Sequence, residues 1–288
     1  MLVVTYPIYR VTAVDPNWSA FWQHWLALPI WPSGPQWFLW ELLVLNIAAA
    51  ALFWLAPRGG ELLGRLSASA GAQPGRYVLG LIGASAFAYV PLALAFTPWA
   101  WTQFGPFAFQ LSRPLHYAVY FFAGVGIGAY GIERGLLATD GMLARRWGLW
   151  LAAASAGFLL WIVPTAATMQ DWGKILPGMQ IVADFGFVVS CATACFFFAV
   201  VFLRFATRRS RLLDNLSENA YGMYLVHYVF VVWLQYLLLG AALVAIAKAS
   251  IVFGVTLLLS WAAIATMCRV RLGARLVGSE RRVLAKAP

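Results

Sequence analysis

The sequence predicts an all-α fold, a polytopic membrane helix bundle of about seven transmembrane helices. Three observations predict it. Hydrophobic residues make up 62% of the 288 and charged residues only 10%, with a mean hydropathy of +0.77. A soluble domain carries about a quarter of its residues charged, so a chain this apolar takes lipid as its solvent. Seven apolar stretches approach or exceed the roughly 20 residues that cross the hydrocarbon core as a helix. Finally, the basic residues alternate in step with those stretches.

The stretches fall near 36–56, 77–97, 114–132, 147–168, 178–203, 217–239 and 249–268. Residues 1–35 read as an outer loop, with Trp18, Trp22, Trp25 and Trp31 suited to a membrane interface. The opening MLVVTYPIY is too short to span and looks like the tail of a crossing whose beginning is missing. No long polar linker divides the chain, so 1–288 reads as one membrane domain. It comprises the outer loop, the helices of 36–268 and a basic tail over 269–288. Segments 57–76, 133–146, 204–216 and 269–288 hold 16 of the 20 Lys and Arg. The others are Arg10, Arg113, Lys174 and Lys248. Positive charge gathers on the cytoplasmic side, which places the N-terminus outside and the C-terminus in the cytoplasm. Localisation follows as a multi-pass protein of the inner (plasma) membrane.

The net charge of +10 has the same origin. Short basic clusters between apolar runs carry it, and no basic–aromatic motif accompanies them, which excludes nucleic acid as a partner. Cys191, Cys195 and Cys268 lie in apolar runs without His, Asp or Cys neighbours to complete a ligand set, so no metal is expected. No secretory signal peptide is read at 1–13. Gly124, Gly126, Gly128 and Gly131 form a small-residue stripe, read either as packing within the bundle or as a dimer contact through Gly124 and Gly128. Oligomeric state stays open.

Ionisable groups at bilayer depth are costly and mark candidate sites. Glu41, Arg113, His116 and Asp184 all fall in the outer third of their spans, joined by Gln235, which suggests a water-filled pocket opening outward. Arg113 and His116 are three residues apart, on one face of a helix. His227 sits near the midplane, flanking a face made by Tyr221, Tyr224 and Tyr228. A neutral imidazole there suits a general base, with packing as the bland alternative. DWGK at 171–174 reads as a short outer loop.

Three stretches resemble the membrane-embedded acyltransferase-3 family. NLSENAYGMYLVHYVFVVWLQ at 215–235 is similar to the family's "LS..SYGIYLIH" helix. GPQWFLWELLVLN at 34–46 is similar to its "GPLWFLW.LL" span, and SRPLHYAVYFFAGVGIG at 112–128 to a span that opens on Arg-Pro. The resemblance implies a membrane acyltransferase that moves an acyl group, acetyl or succinyl, from acyl-CoA to a hydroxyl of an extracytoplasmic glycan or small molecule. No bound cofactor is implied, and acyl-CoA is the donor substrate. Partners are then acyl-CoA, a carbohydrate or other hydroxyl acceptor, and the lipid bilayer. His227 is the candidate catalytic base, and Arg113, His116, Glu41, Asp184 and Tyr224 are the candidate substrate-binding residues.

Family members typically have ten helices with both ends cytoplasmic, and removing three leaves seven with the N-terminus outside. The family's catalytic Arg–His pair lies in its first span. This sequence has no counterpart, since its histidines are His24, His116 and His227. The expectation is a chain without the N-terminal third, or a degenerate and inactive member. A transporter or flippase using the same outer polar pocket is the alternative, although Pro91, Pro106 and Pro164 do not form the matched helix breaks typical of transporters.

Overall fold

A computed structural model of the chain describes residues 2–14, 16–28, 34–56, 58–104, 107–132, 134–169, 177–206 and 210–276. The 171–174 loop and the tail after Leu276 lie outside the described residues. The chain runs through α1 (Leu2–Thr12), α2 (Trp18–Leu26), α3 (Trp37–Leu55), α4 (Arg58–Ala72) and α5 (Pro74–Phe96). A hairpin of β1 (Trp101–Phe104) and β2 (Phe107–Gln110) follows. Then come α6 (Pro114–Tyr130), α7 (Met142–Arg145), α8 (Trp147–Thr168), α9 (Pro177–Phe205), α10 (Arg211–Leu237), α11 (Ala245–Met267) and α12 (Arg271–Leu276).

Apart from the one hairpin and the connecting turns, the described residues are helical, as expected. By length and composition five helices can cross a membrane, namely α3, α5, α8, α9 and α11, or up to six if α6 and the bent segment Gly135–Arg145 form one span. The expected seven are therefore not all reached on those grounds. Predicted span 114–132 is a helix of only 17 residues. Gly131 ends it at φ +117°, a left-handed conformation that glycine adopts without strain. Predicted span 217–239 falls on α10 as far as Leu237; the helix has the length at 27 residues but interleaves Tyr221, Tyr224, His227, Tyr228 and Gln235 among its apolar positions.

The described residues divide into two compact units, Met1–Gln36 with Arg209–Pro288, and Trp37–Arg208. In the first unit α1 packs along α10, and α10 along α11. Trp261 Nε1 donates to Asn215 Oδ1 at 2.7 Å, tying α11 to the start of α10. The lead-in contains two short helices, α1 over the stretch read as the tail of a crossing and α2 in the Trp-rich part. Phe21 is their anchor, 2% exposed, with ring centroids 5.2 Å from Tyr6 and 5.4 Å from Tyr9. Such edge-to-face pairs add about 0.5–1.5 kcal/mol each beyond burial, which holds α1 and α2 together.

The second unit holds α3–α9 and is built around the antiparallel pair α8 and α9. Gly157 and Gly186 let these backbones approach, a small-residue contact of the kind that binds helices in lipid. Two apolar clusters lie along the unit. Val78, Leu143, Trp150, Phe196 and Val200 belong to one and Tyr89, Ala93 and Val188 to the other.

Helix α4 was not foreseen, because 57–76 is basic and Gly-rich. Its small residues Gly60, Gly64, Ser67 and Ala70 recur at helical spacing and are buried, so α4 lies against α6. The glycine stripe of α6 divides accordingly. A Cβ on Gly126 would come within 2.8 Å of Leu63 O and Ser67 Oγ, whereas one on Gly124 or Gly128 meets nothing within 4 Å. Gly126→Val is therefore expected to lower the thermal midpoint in detergent, by about 1–3 kcal/mol of overpacking. Gly128→Val should leave it unchanged. Equal midpoints for the two variants would refute the α4–α6 contact.

Candidate functional site

Site geometry starts from the hairpin. β1 and β2 pair antiparallel with Trp101 opposite Gln110 and Phe104 opposite Phe107. The hairpin leans on α3 through Trp37–Trp101 and Trp40–Phe107 ring contacts at 5.5 and 5.0 Å. Immediately after it, Arg113 caps α6 and Pro114 takes the first turn, where its missing N–H costs nothing. His116 is then the third residue of α6.

His116 is 2% exposed, and its Nδ1 lies 2.7 Å from Ser85 Oγ. Ser85 is fully buried and is the twelfth of the 23 residues of α5. At about 1.5 Å per residue that is roughly 16 Å from either helix end. His116 therefore stands level with the middle of α5.

Around His116 the rings of Tyr120, Phe187 and Tyr89 stand at 4.9, 5.3 and 5.5 Å. The Arg113 guanidinium carbon sits 5.1 Å from the Phe187 centroid, a cation–π arrangement worth about 2 kcal/mol when desolvated. Its Nη1 reaches toward the Tyr117 hydroxyl at 3.5 Å. Asp184, on α9, is 2% exposed. Arg113 and Asp184 line one cavity of about 20 Å³ with Tyr89, Trp161, Thr165 and Phe187. Glu41 lies on the α3 side, in the wall of an otherwise apolar pocket of about 480 Å³ between α3 and the hairpin.

Several polar atoms here are buried without a hydrogen-bond partner among the described residues. They include both Glu41 carboxylate oxygens, Asp184 Oδ2, Arg113 Nε, Ser112 Oγ and Gln110 Oε1. Among those residues no carboxylate lies within 4.0 Å of Arg113; the ion pair found is the surface Arg65–Glu61 contact at 3.7 Å. Buried polar groups left this way each cost about 1–3 kcal/mol, and more when charged.

Arg113, His116, Asp184 and Glu41, grouped with Gln235 in the sequence reading as one outward pocket, belong to one unit, whereas Gln235 lies on α10 in the other. Arg113 contacts Phe187, which stacks against His116, and Asp184 shares the Arg113 cavity. Ser85, Tyr89 and Phe187 were not foreseen. A serine or an aromatic residue within an apolar span carries no signal by itself, and only the charges stand out against lipid. His227 and Tyr224 lie on α10, in the other unit. There His227 Nδ1 is 2.6 Å from the Tyr224 backbone oxygen, so Nδ1–H donates and Nε2 keeps its lone pair.

Residues 1–265 match the acyltransferase domain of the acyltransferase-3 family. The chain belongs to this family. The match runs from α1 almost to the end of α11 and so includes every candidate residue, from Glu41 to His227. Comparison with curated proteins and with solved structures returned no match. Membership establishes a multi-pass membrane acyltransferase in general terms, and the helices described above supply the membrane-spanning frame.

Proposed function

We propose that this acyltransferase moves an acetyl or succinyl group from acyl-CoA to a hydroxyl of an extracytoplasmic glycan or small molecule. It does so in the inner (plasma) membrane, with seven spans, an outer N-terminus and a cytoplasmic C-terminus. The observation that carries the reading is the cavity of about 20 Å³ between Arg113 and Asp184, space for one water or one hydroxyl. An Arg113 Nε donor and an Asp184 Oδ2 acceptor without hydrogen-bond partners among the described residues favour a group that donates and accepts at once, as an alcohol does.

His116 is the proton acceptor within this unit. For that role its Nδ1–H donates to Ser85 Oγ, which leaves the Nε2 lone pair for the acceptor hydroxyl. The acceptor O–H bond breaks as a C–O bond forms to the thioester carbonyl, and the proton goes to Nε2. Arg113 N–H groups stabilise the oxyanion. Collapse breaks the C–S bond, and the thiolate leaves as CoA thiol with the proton from His116. Glu41 and Asp184 hold further hydroxyls of the acceptor.

A second assignment keeps His227 as the base and Tyr224 as its neighbour. The His227–Tyr224 hydrogen bond, which fixes a tautomer with Nε2 free, favours it. His227→Ala tests this directly, because unchanged turnover removes His227 from the reaction.

The overall reading is tested by purified protein in phosphatidylcholine nanodiscs given acetyl-CoA and a polyhydroxylated acceptor. Release of free CoA thiol matched by acylated acceptor is expected. Movement of solute across a vesicle without thiol release would instead establish a transporter. Asp184→Asn is expected to raise the acceptor KM by about 10- to 100-fold, the loss of one hydrogen bond to a charged group, with the acyl-CoA KM unchanged. A shift in the acyl-CoA KM instead would move Asp184 to the donor's site.

A further inference from the structure

A groove of about 760 Å³ runs between α4, α5 and α6. Neither Ser85 nor His116 lines it, so it is separate from the candidate site. Ser69, Gln73 and Arg76 line one end, the elbow where α4 meets α5. From there the wall is mostly apolar, through Tyr77 and Leu81 to Ala84 and Val119. Arg76 is the third residue of α5 and Ala84 the eleventh, so the groove follows the helix for about 12 Å. α5 is one of the helices long and apolar enough to cross a membrane. Its first turn therefore lies at a membrane face, and the groove descends from that face along the hydrocarbon layer. We infer that the groove seats one anionic phospholipid, with the phosphate at the elbow and an acyl chain along α5.

Charge selects the headgroup. Arg76 is exposed and pairs with no carboxylate among the described residues. Segments 57–76 and 133–146 hold six arginines against the acids Glu61, Glu133 and Asp140, and Glu61 already sits 3.7 Å from Arg65. Leu136 and Leu143 pack in one cluster with Ala70 and Val78. That cluster brings Arg134, Arg145 and Arg146, all exposed, to the same end of the unit as Arg76. The positive end of the α5 dipole points the same way, and its N-cap Gln73 makes no side-chain bond to the first turn, whose N–H groups suit a phosphate. Ser69 is committed elsewhere, since its hydroxyl donates to Leu66 O at 2.7 Å. Helix α4 has the make-up of an interfacial helix, with Arg58 and Arg65 exposed beside Leu62 and Leu66. Basic pockets of this kind at a membrane face attract anionic headgroups. Gly80 leaves room for the chain, because a Cβ there meets nothing within 4 Å. A soluble polyanion has no use for the apolar length of the groove, and a zwitterionic lipid gains little from the excess of arginines.

The experiment uses the full chain in phosphatidylcholine nanodiscs doped with phosphatidylglycerol that carries a diazirine in one acyl chain. Label is expected on peptides covering 63–84 and 119–126. Unlabelled phosphatidylglycerol should displace it, and added phosphatidylcholine should not. Arg76→Ala is expected to cut labelling by about tenfold, the loss of one hydrogen bond to a charged group, while Arg76→Lys keeps the charge and retains label. Gly80→Leu should cut labelling to a similar degree by filling the groove. Neither position is buried, so these variants should elute as wild type in detergent. Arg269→Ala, at an exposed arginine of the other unit, is the control and should label as wild type. Equal displacement by phosphatidylcholine, label on other peptides, or label unaffected by both Arg76→Ala and Gly80→Leu overturns the proposal. Displacement by inorganic pyrophosphate overturns it in favour of a soluble anion. A dimeric species whose groove peptides take no label overturns it in favour of a second copy.

Discussion

His116→Ala and His116→Gln are both expected to lower acyl-CoA turnover by about 10²–10⁴-fold, the usual contribution of a positioned general base. Gln keeps hydrogen-bonding capacity and approximate volume but accepts no proton, so it separates lost chemistry from lost packing. Ser85→Ala should cost less. Its hydroxyl orients Nδ1 from 2.7 Å without touching the substrate, and an imidazole freed from it still samples the productive tautomer. The expected order is therefore wild type, then Ser85→Ala, then the two His116 variants together, all with unchanged elution as a folded species in detergent. A His116→Gln protein at wild-type turnover would sink the assignment. His116→Ala impaired while His116→Gln is normal would make the residue a packing element.

How much of this was legible in the sequence depended on contrast with lipid. Glu41, Arg113, His116 and Asp184 stand out because charge inside apolar runs is expensive, and they prove to lie in one unit. The apolar runs that became α3, α5, α8, α9 and α11 were legible for the same reason. What escaped had no such contrast. Helix α4 has a buried face made of Gly, Ser and Ala, which hydropathy scores as loop. The hairpin of 101–110 offered only four residues per strand. Ser85 is a small hydroxyl among alanines and glycines, visible as a partner only once α6 is laid against α5.

The other large effect is expected at Gly186, two residues from Asp184 and one from Phe187. A Cβ at this position would lie 2.5 Å from Leu160 O and 2.7 Å from Leu160 C, with Trp161 N at 2.8 Å. These are backbone atoms of α8, so no rotamer change relieves the clash and the helices must separate. Overpacking of a core typically costs about 1–3 kcal/mol, and it rises when backbone must move. Gly186→Leu is thus expected to abolish recovery of folded protein from detergent extracts, or to lower its thermal midpoint further than Gly126→Val does. Gly186→Ala is the graded test, with a smaller loss in midpoint. Where it stays folded, it should also raise the acceptor KM, because parting α8 from α9 widens the cavity that Trp161 and Thr165 of α8 share with Asp184 and Phe187 of α9. A midpoint and KM both unchanged in Gly186→Ala would mean that the close α8–α9 approach does not hold the hydroxyl-sized cavity shut. The same close approach then serves stability and specificity together. Helix separation sets the width of the cavity, and its width decides whether one hydroxyl or a larger group fits between Arg113 and Asp184.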